Sequence, residues 1–220
     1  MITDILTNWK RFSLRSLFVL MTLCCVMFGV WAVYVNPYRL QLRALAAVNA
    51  MNGHSTPAQA EGPVWQRWLV TTLLGHDAFV RIVEVNLADR PVGDKSLQSL
   101  TDLRFLERLS LDYTQITDDG LVFLRRIPAL SDLTLRYTNV SDRGAQYLSA
   151  LPNLQRLTLT GTQISDAAID DLARLNRMTS MYIRWTRISN AGADHLRHAL
   201  PNCEVNHHAL TDVLAATPSQ

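Results

Sequence analysis

Histidine, cysteine and paired carboxylates come first when looking for chemistry, and here their spacing builds no reaction centre. His195 and His198 lie three apart on a predicted helix, and His207-His208 follow Cys203. That mixture suits a metal in composition, but no standard zinc-ligand spacing fits it. The histidines therefore read as surface or cap residues, and Cys203 as a small buried apolar residue. Asp118-Asp119 and Asp170-Asp171 are adjacent acids at predicted helix starts. Carboxylates there complement the positive helix end, a simpler role than acid–base catalysis. GxSxG, P-loop and HExxH patterns are absent, and no nucleophile–base set stands out. The expectation is no enzyme, no catalytic residue, no cofactor and no metal.

A second set of residues has the chemistry of an interface. Tyr113, Arg136, Tyr137, Arg156, Tyr182, Arg184, Trp185 and Arg187 gather toward the C-terminal half. Arginine with tyrosine and tryptophan is the composition of binding hot spots. Guanidinium groups add fork-shaped hydrogen bonds to carboxylates. These positions recur: Asp112, Arg136, Thr160 and Arg184 are 24 apart, as are Tyr113, Tyr137, Gly161 and Trp185. A solvated face with cross-strand pairs such as Asp112–Arg136 is the plainer account, and a partner-binding face the sharper one.

The element that positions them is a repeat. Leu109-x-Leu111, Leu133-x-Leu135, Leu157-x-Leu159 and Met181-x-Ile183 return every 24 residues. Thr114, Thr138, Thr162 and Thr186 follow each pair, then Ile116, Val140, Ile164 and Ile188. Next comes a hydroxyl residue with Asp or Asn, then Gly120, Gly144, Ala168 or Gly192, then Leu124, Leu148, Leu172 or Leu196. L-x-L buries one face of a short strand. The threonine hydroxyls are expected to bond turn backbone, and Ser/Thr before Asp to cap a short helix. Val85-x-Leu87 begins a degenerate first unit and Val205 a truncated last strand. No unit buries its own leucines, so neighbours must stack.

Written as Leu106…Leu109-x-Leu111…Thr114-x-Ile116…Asp118-x-Gly120-Leu121…Leu124, the unit resembles the 24-residue leucine-rich repeat of the cysteine-containing subtype. The N-terminal part, with Arg11-Phe12-Ser13-Leu14-Arg15-Ser16-Leu17 and Gly62-Pro63-x-Trp65, resembles a bacterial family of membrane-anchored repeat proteins. The resemblance implies an α/β class: a right-handed solenoid with short parallel strands on the concave face and short helices on the convex face. It implies fold and a membrane location, not an activity; binding rather than catalysis is expected from the missing enzyme motifs and the arginine–aromatic strip. The fifth unit departs from the pattern, with Met178, Met181 and Ile183 for leucines and Asn176 for Pro128 or Pro152.

Ser16 to Val35 is an uncharged run of 20 residues, enough to span a bilayer core as a helix of about 30 Å. Trp31, Tyr34 and Tyr38 cluster at one end, where Asn36-Pro37 is expected to close the helix. Lys10, Arg11 and Arg15 against Arg39 and Arg43 bias the N-terminus inward. A signal-anchor is preferred to a cleaved signal, because no Ala-x-Ala site follows. The division expected is 1–15 cytoplasmic tail, 16–35 transmembrane helix, 36–62 juxtamembrane helix and linker, 63–82 helical cap, 83–208 solenoid and 209–220 flexible tail. The rival to a cap at 63–82 is an amphipathic helix on the membrane. A net charge of +2 argues against nucleic acid. The partners expected are the lipid bilayer and a protein or peptide ligand, met on the periplasmic side of a bacterial inner membrane. A structural envelope protein contacting glycan through aromatics is the alternative.

Overall fold

The computed structural model describes residues 14–59, 62–75 and 80–208. Lys10 and Arg11 of the N-terminal tail and the expected C-terminal tail 209–220 lie outside the described residues. Leu14 to Ala50 is one helical run: α1 (Leu14–Val30), a π segment (Trp31–Val35) and α2 (Asn36–Ala50). Residues 18–29 are all exposed. By length and composition, Phe18–Ala50 can cross a membrane.

The helix does not close at Asn36-Pro37 as expected. Proline lacks an N–H, and inside a regular α-helix its ring would press on the carbonyl four residues back. The wider π turn just before it relieves that conflict. Asn36 N–H reaches back to the Trp31 carbonyl, and Pro37 falls in the first turn of α2, where no N–H is needed. The run ends at Asn52, whose φ of 53° lets the Gly53 N–H close on the Val48 carbonyl at 2.9 Å.

Seven strands follow in chain order in one sheet among the described residues. They are β1 (His54–Gln59), β2 (Val80–Asn86), β3 (Arg108–Ser110), β4 (Asp132–Thr134), β5 (Arg156–Thr158), β6 (Ser180–Tyr182) and β7 (Glu204–Asn206). β2 to β7 are parallel, with Val85, Leu109, Leu133, Leu157, Met181 and Val205 opposite one another. The register equals the repeat length because any slip of one residue would turn the leucines outward. Leu111, Ile116, Leu121 and Leu124 of one unit are fully buried, and Met178, Met181 and Ile183 keep the irregular unit inside the same core.

Two side-chain ladders recur along the stack, one closing the turn inside each unit and one linking each unit to the next. Thr114, Thr138, Thr162 and Thr186 are buried and donate their hydroxyls to the carbonyls of Leu111, Leu135, Leu159 and Ile183 at 2.6–2.9 Å. The aspartates do more than start helices. Asp118 accepts from the Ser141 N–H at 2.8 Å and from its hydroxyl at 2.5 Å. Asp94 does the same for Thr117 and Asp142 for Ser165, while Asp166 takes the Ser189 N–H. The glycine column makes room for this contact. A Cβ on Gly144 would sit 2.5 Å from Asp118 Oδ1 and 2.7 Å from Val140 Cγ1.

The expected cap at 63–82 is placed differently. Residues 64–74 form helix α3 (Val64–Leu74), and the chain is strand again from Val80. The first edge of the solenoid is covered by α2 and β1. Ala44 and Val48 of α2 join the main core. Buried Gln41 accepts from the Ile82 N–H at 3.1 Å and donates to the Val80 carbonyl. β1, expected as linker, pairs antiparallel with β2 and slips register between Thr56 and Pro57. An open strand edge must find partners for its backbone, and a proline-containing strand is confined to such an edge. α3 instead packs through Val70 on Val35 and Tyr38, a small cluster apart from the main core.

Candidate functional site

Because the strands are only three residues long, the predicted strip divides in two. Arg156 and Tyr182 lie on β5 and β6. Tyr113, Arg136, Tyr137, Arg184 and Trp185 were expected at strand positions but occupy the turns that follow β3, β4 and β6. Arg187 lies further on, exposed, its backbone bridging to Ser165 beyond the turn. The reason is backbone conformation. Asp89, Tyr113, Tyr137 and Trp185 have φ of 58°, 56°, 51° and 55°, and Gly161 in the same column has 73°. A left-handed residue ends a strand.

That column organises the surface. A left-handed aromatic residue carries about 1 kcal/mol or more of strain and persists only where its surroundings dictate it. The hydrogen-bond ladder does so here. Tyr113 N–H donates to the Arg136 carbonyl at 2.8 Å, Tyr137 to Thr160 at 2.9 Å, Gly161 to Arg184 at 2.9 Å and Trp185 to His208 at 3.1 Å. The rings form a row at the rim. Tyr113 stacks on Tyr137 at 4.9 Å with 17° between planes, and Tyr137 reaches Trp185 at 6.1 Å. Tyr137 and Trp185 stand two strands apart, roughly 10 Å of sheet. Gly161 closes the gap: a Cβ there would meet Tyr137 Cδ1 at 2.5 Å, so the missing side chain lets Tyr137 lean toward Trp185. All three rings remain exposed.

The guanidinium groups differ from one another. Arg156 is gripped by Asp132 of the preceding unit, which raises the arginine above its ordinary pKa through their hydrogen bonds. Arg136 donates its N–H to Asp112 Oδ1 at 2.8 Å, and its Nε lies 3.7 Å from Asp112 Oδ2. Arg108 binds Glu84 at 3.0 Å, and this bond holds the Glu84 carboxyl below its usual value. Arg184 lies over the Trp185 ring at 5.6 Å and, among the described residues, makes no ion pair. Arg136 and Arg156, expected to face a ligand, are thus occupied by neighbouring acids, and Arg184 is not. Thr158, expected on the open face, is buried between Thr134 and Tyr182 in the register.

Sequence reasoning passed over Gly161 and Asp89 as markers. Gly and Asp sharing a column with two tyrosines and a tryptophan is the signature of a left-handed position. Two of the histidines contact backbone through their rings: His198 Nδ1 lies 2.7 Å from the Asp194 carbonyl and His207 Nε2 2.9 Å from that of Ile188. Cys203 is half-buried, and burial pushes its thiol up.

No curated protein matches the chain. Among solved structures it is similar to a leucine-rich-repeat protein of Leptospira interrogans, at 22% identity and a TM-score of 0.37; the match covers 50% of this chain and 27% of that one. A family model described as Leucine Rich repeat matches residues 102–124, the stretch that holds β3, Tyr113 and Thr114. The geometry of that stretch returns at each step of 24 along the sheet, and the chain therefore carries leucine-rich repeats.

Proposed function

We propose that the chain is a membrane-held binding module without catalytic activity, and that the rim row Tyr113–Tyr137–Trp185 with Arg184 contacts a protein or peptide partner on the extracytoplasmic side. One observation carries this reading: exposed aromatic residues occupy a left-handed column where Gly161 and Asp89 satisfy the backbone at lower cost. Stability alone does not select tyrosine and tryptophan there. A carboxylate or aromatic group of a partner fits Arg184, which is exposed, lies over the Trp185 ring and is not neutralised by a neighbour among the described residues. Repeats of this kind generally mediate protein interaction, which favours the same class. Glycan is the weaker alternative, since sugars pack on ring faces and the facing sides of Tyr113 and Tyr137 cover each other. Display outside the cytoplasm rests on Lys10, Arg11 and Arg15 beside the apolar helix, within the inner membrane of a bacterium.

The test uses the full chain in detergent, because α2 supplies the cap of the first unit. Partners are crosslinked from envelope membranes and compared across variants. Trp185→Gly keeps the backbone conformation, and Trp185→Gly with Arg184→Ala is expected to weaken capture by about 2 kcal/mol or more in affinity, the usual effect of losing an interface anchor. Gln146→Ala on the convex side is expected to change nothing. Capture that survives the rim substitutions and fails on the convex one overturns the reading.

A further inference from the structure

Helix α3 presents a face that nothing among the described residues covers. Val64, Trp65, Trp68 and Thr72 recur at helical spacing opposite buried Val70, and Val64, Trp65 and Trp68 are 85%, 48% and 65% exposed. A surface helix in water turns charge outward. Here Arg67 is the charged residue between Gly62 and Gly75. The helix is also held at a particular level. Val70 packs on Val35 and Tyr38, and the Trp65 ring meets Tyr34 edge-on at 5.0 Å. That is where the exposed, uncharged stretch 18–29 of the long helix gives way to polar residues. Tryptophan and tyrosine gather where a chain leaves a bilayer, because their rings are apolar and their N–H or O–H groups polar. Trp31, Tyr34, Trp65 and Trp68 make such a belt from two helices. On the belt's own side of the apolar run, residues 36–75 carry Arg39, Arg43 and Arg67 against Glu61, a basic excess.

We propose that α3 lies in the headgroup region of the bilayer that α1 enters, with Trp65 and Trp68 facing lipid, so that the solenoid is seated on the membrane and not merely tethered to it. This rests on the reading of the uncharged run as a membrane span. The interfacial mode explains why a helix with few charges stays solvent-facing in the chain itself: an amphipathic helix buries its apolar face a few ångströms into the headgroup boundary. It also explains why α3 contributes nothing to the main core.

The test places one nitroxide at a time on the full chain, in a Cys24→Ala, Cys25→Ala, Cys203→Ala background, reconstituted in phosphatidylcholine and phosphatidylglycerol vesicles. Trp68→Cys and Thr72→Cys report the face, Met27→Cys the span and Gln146→Cys the convex helices. Collisions with oxygen, which enriches in lipid, and with a water-soluble nickel chelate give the depth. The expected result is a several-fold higher oxygen-to-nickel ratio at positions 68 and 72 than at 146, approaching that at 27. Nickel access at 68 and 72 equal to that at 146, with 27 still in lipid, overturns the proposal and leaves the span standing. Nickel access at 27 overturns both. Spin–spin broadening at 68 with low oxygen access would place a second copy on the face and overturn the proposal as well.

Discussion

Asp118 and Asp119 are neighbours with different work. Asp118 takes two hydrogen bonds from Ser141 of the next unit, whereas Asp119 makes an exposed pair with Arg143 at 2.9 Å. Removing an acceptor from partly buried donors costs about 1–3 kcal/mol, and an exposed pair contributes roughly 0–1 kcal/mol. Asp118→Ala is therefore expected to lower urea-unfolding stability clearly and Asp119→Ala hardly at all; equal losses would remove the ladder from the account. Gly144→Ala is expected to cost about 1–3 kcal/mol by overpacking, and its effect in a double-mutant cycle should shrink in part when Asp118 is already alanine, because the carboxylate is the nearest group the methyl meets while Val140 remains. Glu84 gives a pH signature. Its carboxyl is held low chiefly by the hydrogen bond from Arg108, so its stabilisation is present above the ordinary glutamate range and is lost as pH falls through the depressed value. Glu84→Gln should flatten that acid limb of a melting-temperature profile; an unchanged limb would show that the bond has no weight.

At the scale of elements, the strand and helix assignments of the repeat follow from periodicity, while the cap does not. Leu133, Leu135, Leu157 and Leu159 alternate with polar residues and are all buried. Leu133→Ala and Leu157→Ala should each cost about 2–5 kcal/mol, as buried leucines do, and Arg136→Ala should fall within about 0.5 kcal/mol. Legibility was high there because each column is repeated four times. It was low at β1, where His54-Ser55-Thr56-Pro57 has no apolar alternation and pairs only because β2 offers an open edge. It was low at Pro37 too, since a proline reads as a stop unless the turn before it widens. The aromatic residues of the site were legible as a composition and not as a geometry: left-handed backbone is written in Gly161 and Asp89, not in the tyrosines. The cap assignment has its own check. Val48→Ala removes a fully buried contact to the main core and should lower solenoid stability by about 2 kcal/mol. Val70→Ala, in the separate cluster, should leave hydrogen-exchange protection of β3 to β6 unchanged. The reverse pattern would return the cap to α3.

For the whole molecule, the reading as a membrane protein makes a simple demand. Alkaline carbonate should leave the full chain in the membrane pellet with its N-terminus intact. Release to the supernatant, or a mature N-terminus near Val33, would replace the anchor with a cleaved signal.

The unbroken passage of the helix through Pro37 has a geometric consequence for any partner. α2 has 15 residues, roughly 22 Å at 1.5 Å each, and it runs directly into the wall of the first repeat with no loose tether between. The module is a bracket of fixed reach. On the membrane-anchored reading proposed above, it can sample tilt and rotation in the plane of the membrane but not height. A ligand must bring its epitope to that height, which favours partners that share the membrane. For them the search runs in two dimensions, with an effective concentration set by the bracket's length and not by bulk solution.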